Sequence, residues 1–287
     1  VEFSQSAVTL NQLQGKHGEV DVLIQGWTRG HGDHRQYQYQ ISSGNMILDE
    51  DLYAALPPGQ KRFWDMFSPS GVISVDYRLA RSSPSDKRSH IAIDLRGVDA
   101  AYEKFPYPLQ DMTGGIYLDP ERILVSDVVA SGEQHRIKLD GQVTGRGTSR
   151  PIYSITIDAN GIPLDATLRQ ALPEQYRVLA RRFDATGTAR VRARIFTAED
   201  VNSPDPIRFA VDASVADASL KMDSWPVVLT DLSGEASITP DSAAIRDCVG
   251  RYRQSEVRLA GSMQFARTNQ PGQYHLNVTT KQTPLDE

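Results

Sequence analysis

The chain contains a single cysteine, Cys248, in 287 residues, and it has no apolar run long enough to cross a bilayer. One cysteine excludes a framework of internal disulfides, and a transmembrane helix needs about 20 apolar residues in succession. Apolar residues make up only 39% of the sequence, and the mean hydropathy is −0.41. Compact globular domains are richer in apolar residues. We therefore expect a thin structure with much exposed surface.

The chain also lacks a large excess of charge of either sign. The net charge is −5 and the lysine and arginine residues are scattered along the chain. A protein that binds the nucleic-acid backbone concentrates its basic residues on one surface. We therefore expect no nucleic-acid partner.

Motifs for catalysis and metal binding are scarce. No P-loop and no Gly-x-Gly-x-x-Gly fingerprint is present, and no serine or cysteine stands in a nucleophile motif with histidine and a carboxylate. His31 and His34 flank Asp33 in a glycine-rich segment, but a zinc site usually needs a third or fourth protein ligand. We predict that the chain is not an enzyme and that it binds no metal and no cofactor.

A long internal repeat is the main feature that the sequence does have. FPYPLQDMTG (105–114) returns 120 positions later as WPVVLTDLSG (225–234), and LDEDLYAALP (48–57) returns 116 positions later as LDATLRQALP (164–173). The extra four residues fall in the segment that holds TAEDVNSPDP (197–206). Repeats of this kind build continuous arrays in which each unit packs on its neighbours. We interpret the chain as an excerpt of a longer array, with the end of one repeat in 1–45, full repeats in 46–161 and 162–281, and the start of another in 282–287.

The repeat also bears on the cysteine. Cys248 stands 120 positions after Val128, so a valine occupies the corresponding place in the preceding repeat. A free cysteine often serves as a small apolar core residue. This exchange favours a buried, unreactive Cys248.

Most of each repeat alternates apolar and polar residues with period two, which is typical of strands with one apolar side. Short loops separate these segments, so consecutive strands are expected to pair as antiparallel meanders. The predicted fold class is mainly β, with one extended curved sheet that has an apolar face and a charged face. The residues predicted to line the apolar face are Ile73, Val75, Tyr77, Ile91, Ile93, Leu95, Ile137, Leu139, Val191, Ile195, Val257 and Leu259.

One helical segment is predicted in each full repeat, over 48–67 and 164–183. Pro57 and its neighbours interrupt the first segment, so we predict a short helix, a turn and a second short helix. Asp49 and Asp165 precede the two segments. An aspartate in that position caps a helix by accepting a free N–H group of the first turn.

The repeated aromatic-proline motif is interpreted first in structural terms. Pro106 fixes its own backbone and lacks an N–H group, so it fits the start of a strand. Asp111 and Gly114 are residues typical of turns. Phe105 is expected to pack into the core as a large ring, and the same interpretation applies to the second copy at 225–234.

The motif aromatic-Pro-x-x-Leu-x-Asp-apolar-x-Gly, followed by alternating strands and by the I-x-L-x-G of Ile137–Gly141, resembles the C-terminal repeat region of AsmA-like proteins of bacterial cell envelopes. The resemblance covers nearly the whole chain. It implies the architecture of bridge-like lipid transfer proteins, in which repeated meanders form an open trough with an apolar inner side. Acyl chains are thought to slide along that side between two membranes.

The function implied by this resemblance is that of a segment of an envelope-spanning lipid-transfer groove. The implied partner is a phospholipid or another acyl lipid, and the implied location is the periplasm, with the parent protein anchored in the inner membrane. The implied role is in outer-membrane biogenesis in a diderm bacterium. The alternative is a structural or adhesive β-repeat scaffold without a ligand, in which the helices seal the apolar face. The alternation of residues leaves this choice open.

Overall fold

The computed structural model describes residues 1–4, 6–200, 203, 205–222, 225–266 and 271–281. The predicted start of another repeat at 282–287 therefore lies outside the described residues. Some residues within helices and strands are described for their backbone only. They are Gln175, Val178, Leu179, Arg182, Met222, Trp225 and Pro226.

The predicted mainly β fold is confirmed. Within the described residues, sixteen antiparallel strands form one open sheet in which each strand pairs with the strands before and after it in the chain. The strands are β1 Glu2–Phe3, β2 Ala7–His17, β3 Val20–Arg29, β4 Gln36–Ile47, β5 Val72–Arg81, β6 Lys87–Tyr102, β7 Phe105–Leu118, β8 Arg122–Ser131, β9 Arg136–Thr144, β10 Ile152–Pro163, β11 Phe183–Thr197, β12 Ile207–Met222, β13 Trp225–Ile238, β14 Ser242–Tyr252, β15 Ser255–Gln264 and β16 Gln273–Lys281.

The helices come in two pairs, as the sequence predicts. The first pair follows β4 and the second follows β10, and in both places the chain returns to the next position in the sheet. The helices are α1 Glu50–Ala55, α2 Pro58–Phe67, α3 Ala166–Ala171 and α4 Glu174–Arg182, and a one-turn 3-10 helix spans Gly32–His34.

Both predicted helix caps are confirmed. Asp49 Oδ1 accepts a hydrogen bond from the Leu52 N–H group at 2.9 Å. Asp165 Oδ1 accepts one from Leu168 N–H at the same distance. Each carboxylate thus satisfies an N–H group that has no partner within the first helical turn.

The contacts of the chain separate it into two units. The first unit comprises Val1–Ala101, Pro108–Ser131 and Leu139–Tyr153, and the second comprises Tyr102–Tyr107, Gly132–Lys138 and Ser154–Glu287.

Several strands contain a residue with left-handed backbone geometry in mid-strand. Five of these residues are aspartates, with φ between 48° and 54°, at positions 111, 127, 217, 231 and 247. The pairing register shifts beside those at positions 127, 217, 231 and 247, so these are β-bulges. Gly97 and Gly161 have the same geometry, with φ of 74° and 70°. In every case the next residue is apolar and at most 8% exposed: Val98, Met112, Val128, Ile162, Ala218, Leu232 and Cys248.

The repeat explains why aspartate occupies these positions. Gly97 stands 120 positions before Asp217, so glycine and aspartate exchange at one bulge. Glycine adopts this conformation freely, and aspartate is among the few other residues that tolerate it. The shared requirement is therefore the backbone conformation rather than a carboxylate.

The predicted turn at Asp111 and Gly114 is wrong, because both residues lie inside β7. Asp111 has left-handed backbone geometry within the strand, and its N–H group donates to Asp99 Oδ1 at 2.8 Å. Gly114 faces the bulge of the next strand, so closely that a Cβ atom on it would lie 2.7 Å from Val128 Cα. The motif therefore marks a bulged strand and the close approach of its neighbour.

The prediction of a strand start at Pro106 is confirmed, because β7 begins at Phe105. The prediction that Phe105 packs into the core is wrong, since its side chain is 37% exposed. The buried ring is that of Tyr107, at 5% exposure. Both rings lie on one side of the strand and stack at 6.1 Å, but Phe105 is at the strand end. The corresponding prediction for the Trp225 side chain lies outside the described residues.

Candidate functional site: the apolar face of the sheet

In the first unit, the apolar face is the side of β4 to β6 that carries Ile41, Met46 and six of the predicted lining residues. Its rows run across the strands: Met46 pairs with Ile73, and Ile41 pairs with Tyr77. Residues that pair across antiparallel strands share one face of the sheet. The six predicted residues pair with one another as Ile73 with Leu95, Val75 with Ile93, and Tyr77 with Ile91.

The opposite side of the same strands is polar. Gln25 Nε2 donates to Gln40 Oε1 at 2.9 Å, and Gln40 in turn donates to the Asp76 carboxylate. The Arg78 guanidinium forms an ion pair with Asp76 at 2.8 Å. The sheet in this unit therefore separates an apolar side from a hydrated one.

In the second unit, the apolar face is the same kind of surface on β10 to β16. Ile195 pairs with Ile155 on one side and with Phe209 on the other. Val191 pairs in the same way with Ala159 and Ala213. The two predicted lining residues on β11 thus lie in continuous apolar rows.

The polar side of the second unit carries charged pairs of opposite sign. Arg192 lies 3.1 Å from Asp158 on β10, and it pairs with Asp212 on β12. The charged residues on this side are solvated. Their ion pairs at the surface contribute little to stability. The apolar side is therefore the candidate surface for a hydrophobic ligand.

The twelve predicted lining residues differ in burial. Seven are partly exposed: Val75, Tyr77, Ile91, Ile93, Leu139, Val191 and Ile195. The other five, with exposures of 5 to 8%, are core residues: Ile73, Leu95, Ile137, Val257 and Leu259.

The buried residues of the second unit gather at the bulges. Val257 and Leu259 pack with Leu232 and Cys248, each of which follows a left-handed aspartate. Burial raises the pKa of the Cys248 thiol above its ordinary value. This cluster forms a buried core of the second unit, whereas the apolar rows beyond it are partly exposed.

The total exposed surface is large for this mass. The chain exposes 18753 Å² at 31.8 kDa. A compact protein of that mass would expose about 12,000 Å², and two separate compact domains of half the mass would expose about 15,000 Å² together. A second layer of structure over the whole apolar face would bring the value toward these figures.

Part of the apolar face in the second unit is covered by a helix. The Tyr176 ring of α4 contacts Phe209 on β12 and Phe265 after β15, with centroid distances of 6.2 and 5.3 Å and nearly perpendicular planes. Edge-to-face contacts of this kind are favourable for aromatic rings. These three rings are not among the twelve residues that the sequence pattern predicts for the apolar face.

Neither a metal site nor a membrane-spanning helix is found in the described part of the chain. No three histidine, cysteine, aspartate or glutamate side chains come together there as metal ligands. Among the same residues, no helix has the length and apolar character needed to cross a membrane.

No protein-family model, no curated protein and no solved structure matches this chain. The geometry of the sheet and the sequence itself therefore carry the functional argument.

Proposed function

We propose that this chain is a segment of a lipid-transfer groove whose apolar face shields acyl chains from water. The observation that carries the proposal is the set of partly exposed apolar rows, formed by cross-strand pairs such as Val75 with Ile93 and Tyr77 with Ile91. The other side of the same strands is charged or hydrogen-bonded.

The chemistry of such a face suits an acyl chain. Burial of a methylene group is worth about 0.8 kcal/mol and has no directional requirement. A face made of aliphatic and aromatic side chains would bind a chain through many equivalent contacts. A lipid could then move along the rows without a large change in free energy at any step.

The extent of the face supports binding rather than chance exposure. Soluble monomers rarely expose contiguous apolar patches beyond a few hundred Å², and larger patches mark binding surfaces. In the second unit the row through Ala193 continues to Val211 and Ile238 on the next two strands. All three residues are partly exposed.

The partner, on this proposal, is a phospholipid or another acyl lipid. By its resemblance to AsmA-like repeats, the chain would act in the periplasm as part of a protein anchored in the inner membrane. The proposed activity is transfer without covalent chemistry, so it requires no catalytic residue and no cofactor.

A structural scaffold without a ligand is the second candidate. The contact of Tyr176 with Phe209 and Phe265 favours it, because a helix there covers apolar surface as an ordinary core would. On that interpretation the rest of the face would also be closed to lipid.

Lipid extraction with native mass spectrometry on the chain purified from bacteria separates the two candidates. We expect phospholipid-sized adducts on the wild-type chain. Ile93→Asp should remove them, because it places a charge in the middle of the apolar row beside Val75.

The matched control is His90→Asp, on the polar side of the same strand, beside Arg78. It should keep the adducts. If Ile93→Asp folds normally and still carries lipid, or if the wild-type chain carries none, the apolar face is not the binding surface.

A further inference from the structure

A single ring joins α4 to two distant strands of the second unit. Phe209 belongs to β12 and Phe265 follows β15, and three strand spacings of about 4.8 Å separate such positions in a sheet. Tyr176 nevertheless contacts both rings, at centroid distances of 6.2 and 5.3 Å. The two phenylalanine side chains therefore reach the same Tyr176 ring from positions three strands apart.

The α3–α4 pair is held together by its own contacts. The Arg177 guanidinium donates to the backbone oxygens of Leu172 at 2.9 Å and Gln170 at 3.0 Å, and it forms an ion pair with Glu174 at 3.2 Å. These bonds lie within the helix pair and do not involve the sheet. They would be kept if the pair moved away from the apolar face as one body.

Among the described side chains, hydrogen bonds attach the pair to the sheet at the start of α3. Leu164 N–H donates to Gly187 O at 2.9 Å, and Arg169 donates to Leu164 O and Ala185 O. These bonds fix the start of α3 beside β11. The Tyr176 ring contact lies on the second helix of the pair.

The first repeat builds the same elements without this aromatic cluster. At the offsets of 116 and 120 positions, Tyr176, Phe209 and Phe265 correspond to Gln60, Ser89 and Gly145. The helix pair and the six strands nevertheless form in that repeat. The fold does not require the cluster, so its presence in the second repeat calls for another reason.

We infer that the α3–α4 pair is a displaceable cover over the apolar face of the second unit. The contacts of Tyr176 with Phe209 and Phe265 hold this cover in place. In the inference, an acyl chain displaces the Tyr176 ring and takes its place between Phe209 and Phe265. This inference rests on the proposed lipid-transfer function and adds its regulation: the second unit admits lipid only when the cover opens.

The two phenylalanine rings have apolar partners both before and after an acyl chain replaces the Tyr176 ring. Tyr176 gives the two phenylalanine rings apolar edge-to-face partners, and an acyl chain would give them apolar partners as well. No charge is buried or released in the step. Covered and open states of this kind can be close in free energy, and a ligand then shifts their populations.

Binding of a fluorescent acyl-labelled phosphatidylethanolamine to Tyr176→Ser and to the matched control Gln60→Ser tests the cover. Tyr176→Ser should bind the probe at the second unit roughly tenfold more tightly than wild type does there, because the apparent affinity rises with the fraction of open protein. Gln60→Ser should bind as wild type does. Far-UV circular dichroism checks that both variants are folded.

A photo-crosslinker in place of Phe265 gives a second readout that leaves Tyr176 intact. p-Benzoylphenylalanine at this position should crosslink to the α4 peptide without lipid, and added phosphatidylethanolamine vesicles should reduce that product. The inference is overturned if the α4 crosslink is unchanged at saturating lipid, or if folded Tyr176→Ser binds the probe as wild type does.

The results that would reject the proposed function differ from those that would reject only the cover. If neither the wild-type chain nor Tyr176→Ser captures any probe, the chain does not bind lipid, and the cover has no ligand to admit. If wild type and Tyr176→Ser capture the probe equally, lipid binding stands and only the cover is rejected.

Discussion

Gly114 on β7 lies directly against the bulge of β8, where a Cβ atom on the glycine would approach Val128 Cα to 2.7 Å. The same approach occurs 120 positions later, with Gly234 at 2.7 Å from Cys248 Cα on the same measure. Neighbouring strands thus interlock at a glycine and a bulge. This relationship gives the repeated glycine of the motif a steric reason.

Gly114→Ala should therefore destabilise the chain strongly. Its φ of 118° is strained for alanine, and the added methyl group meets backbone atoms that cannot move aside. We expect a loss of about 3 kcal/mol from strain and overpacking together, measured by urea unfolding. Gly147→Ala is the control, because a Cβ atom there has no neighbour within 4 Å. A normal midpoint for Gly114→Ala would contradict the interlocking of β7 and β8.

Asp217 should be replaceable by glycine but not by alanine. Its φ is 54°, and the first repeat has Gly97 in its place. Asp217→Gly should keep the free energy of unfolding within about 0.5 kcal/mol of wild type. Asp217→Ala should lose about 1 kcal/mol, because alanine disfavours left-handed geometry. Equal losses in the two variants would show that the carboxylate itself matters.

Cys248 should react slowly with a thiol reagent in the folded chain. The side chain is buried, and burial raises the pKa of its thiol, so little thiolate is present at pH 8. Ellman's reagent should label the chain rapidly only after unfolding in urea. Since this is the only cysteine, the signal reports one site. Fast labelling without urea would show that β13 to β15 open readily in the folded chain.

The stability contributed by Asp49 should depend on pH. The Leu52 N–H group, and then the His17 ring at 3.0 Å, lower the pKa of the Asp49 carboxyl from its ordinary value of 3.8. A lowered pKa in the folded state stabilises the protein above the unfolded pKa, and this stabilisation is lost as pH falls through the folded value. Asp49→Ala should thus be less stable than wild type at pH 6 and no less stable near pH 2.

Urea midpoints at several pH values measure this difference. Glu103→Ala, an exposed carboxylate in the turn after β6, is the control and should shift the midpoint little. If the midpoints of Asp49→Ala and wild type differ by the same amount at every pH, the carboxylate charge does not stabilise the cap.

The local elements were predictable because their signals are local. Asp49 and Asp165 stand directly before the helices that they cap, and Pro57 separates α1 from α2. Period-two alternation placed Ile73, Val75 and Tyr77 on one side of β5, and their partners on β6 lie on the same side. These are properties of single segments.

The bulges were not predictable by the same reasoning. Asp111 and Gly114 look like turn residues, but both are used within a strand, where aspartate supplies left-handed geometry and glycine supplies space. A shift of register also moves the following residue inward, as Asp231 does for Leu232. When the alternation of apolar and polar residues is counted through such a bulge, it assigns the residues beyond the bulge to the wrong face of the sheet.

The candidate site was predictable in composition but not in accessibility. Ile93 and Val257 have the same kind of alternating sequence around them, yet Ile93 is partly exposed and Val257 is 5% exposed. The difference arises from packing around the bulges, which joins Val257 to residues of three strands. Likewise, no single segment indicates that Tyr176 contacts Phe209.

The order of the strands has a consequence for folding. Every strand pairs with those next to it in sequence, even where a helix pair intervenes between β4 and β5 or between β10 and β11. Outside these two places, each new hairpin closes only a short loop, which keeps the entropic cost of pairing low. During synthesis, each emerging strand would meet an edge that is already formed, and the sheet would lengthen in the direction of translation without waiting for distant parts of the chain.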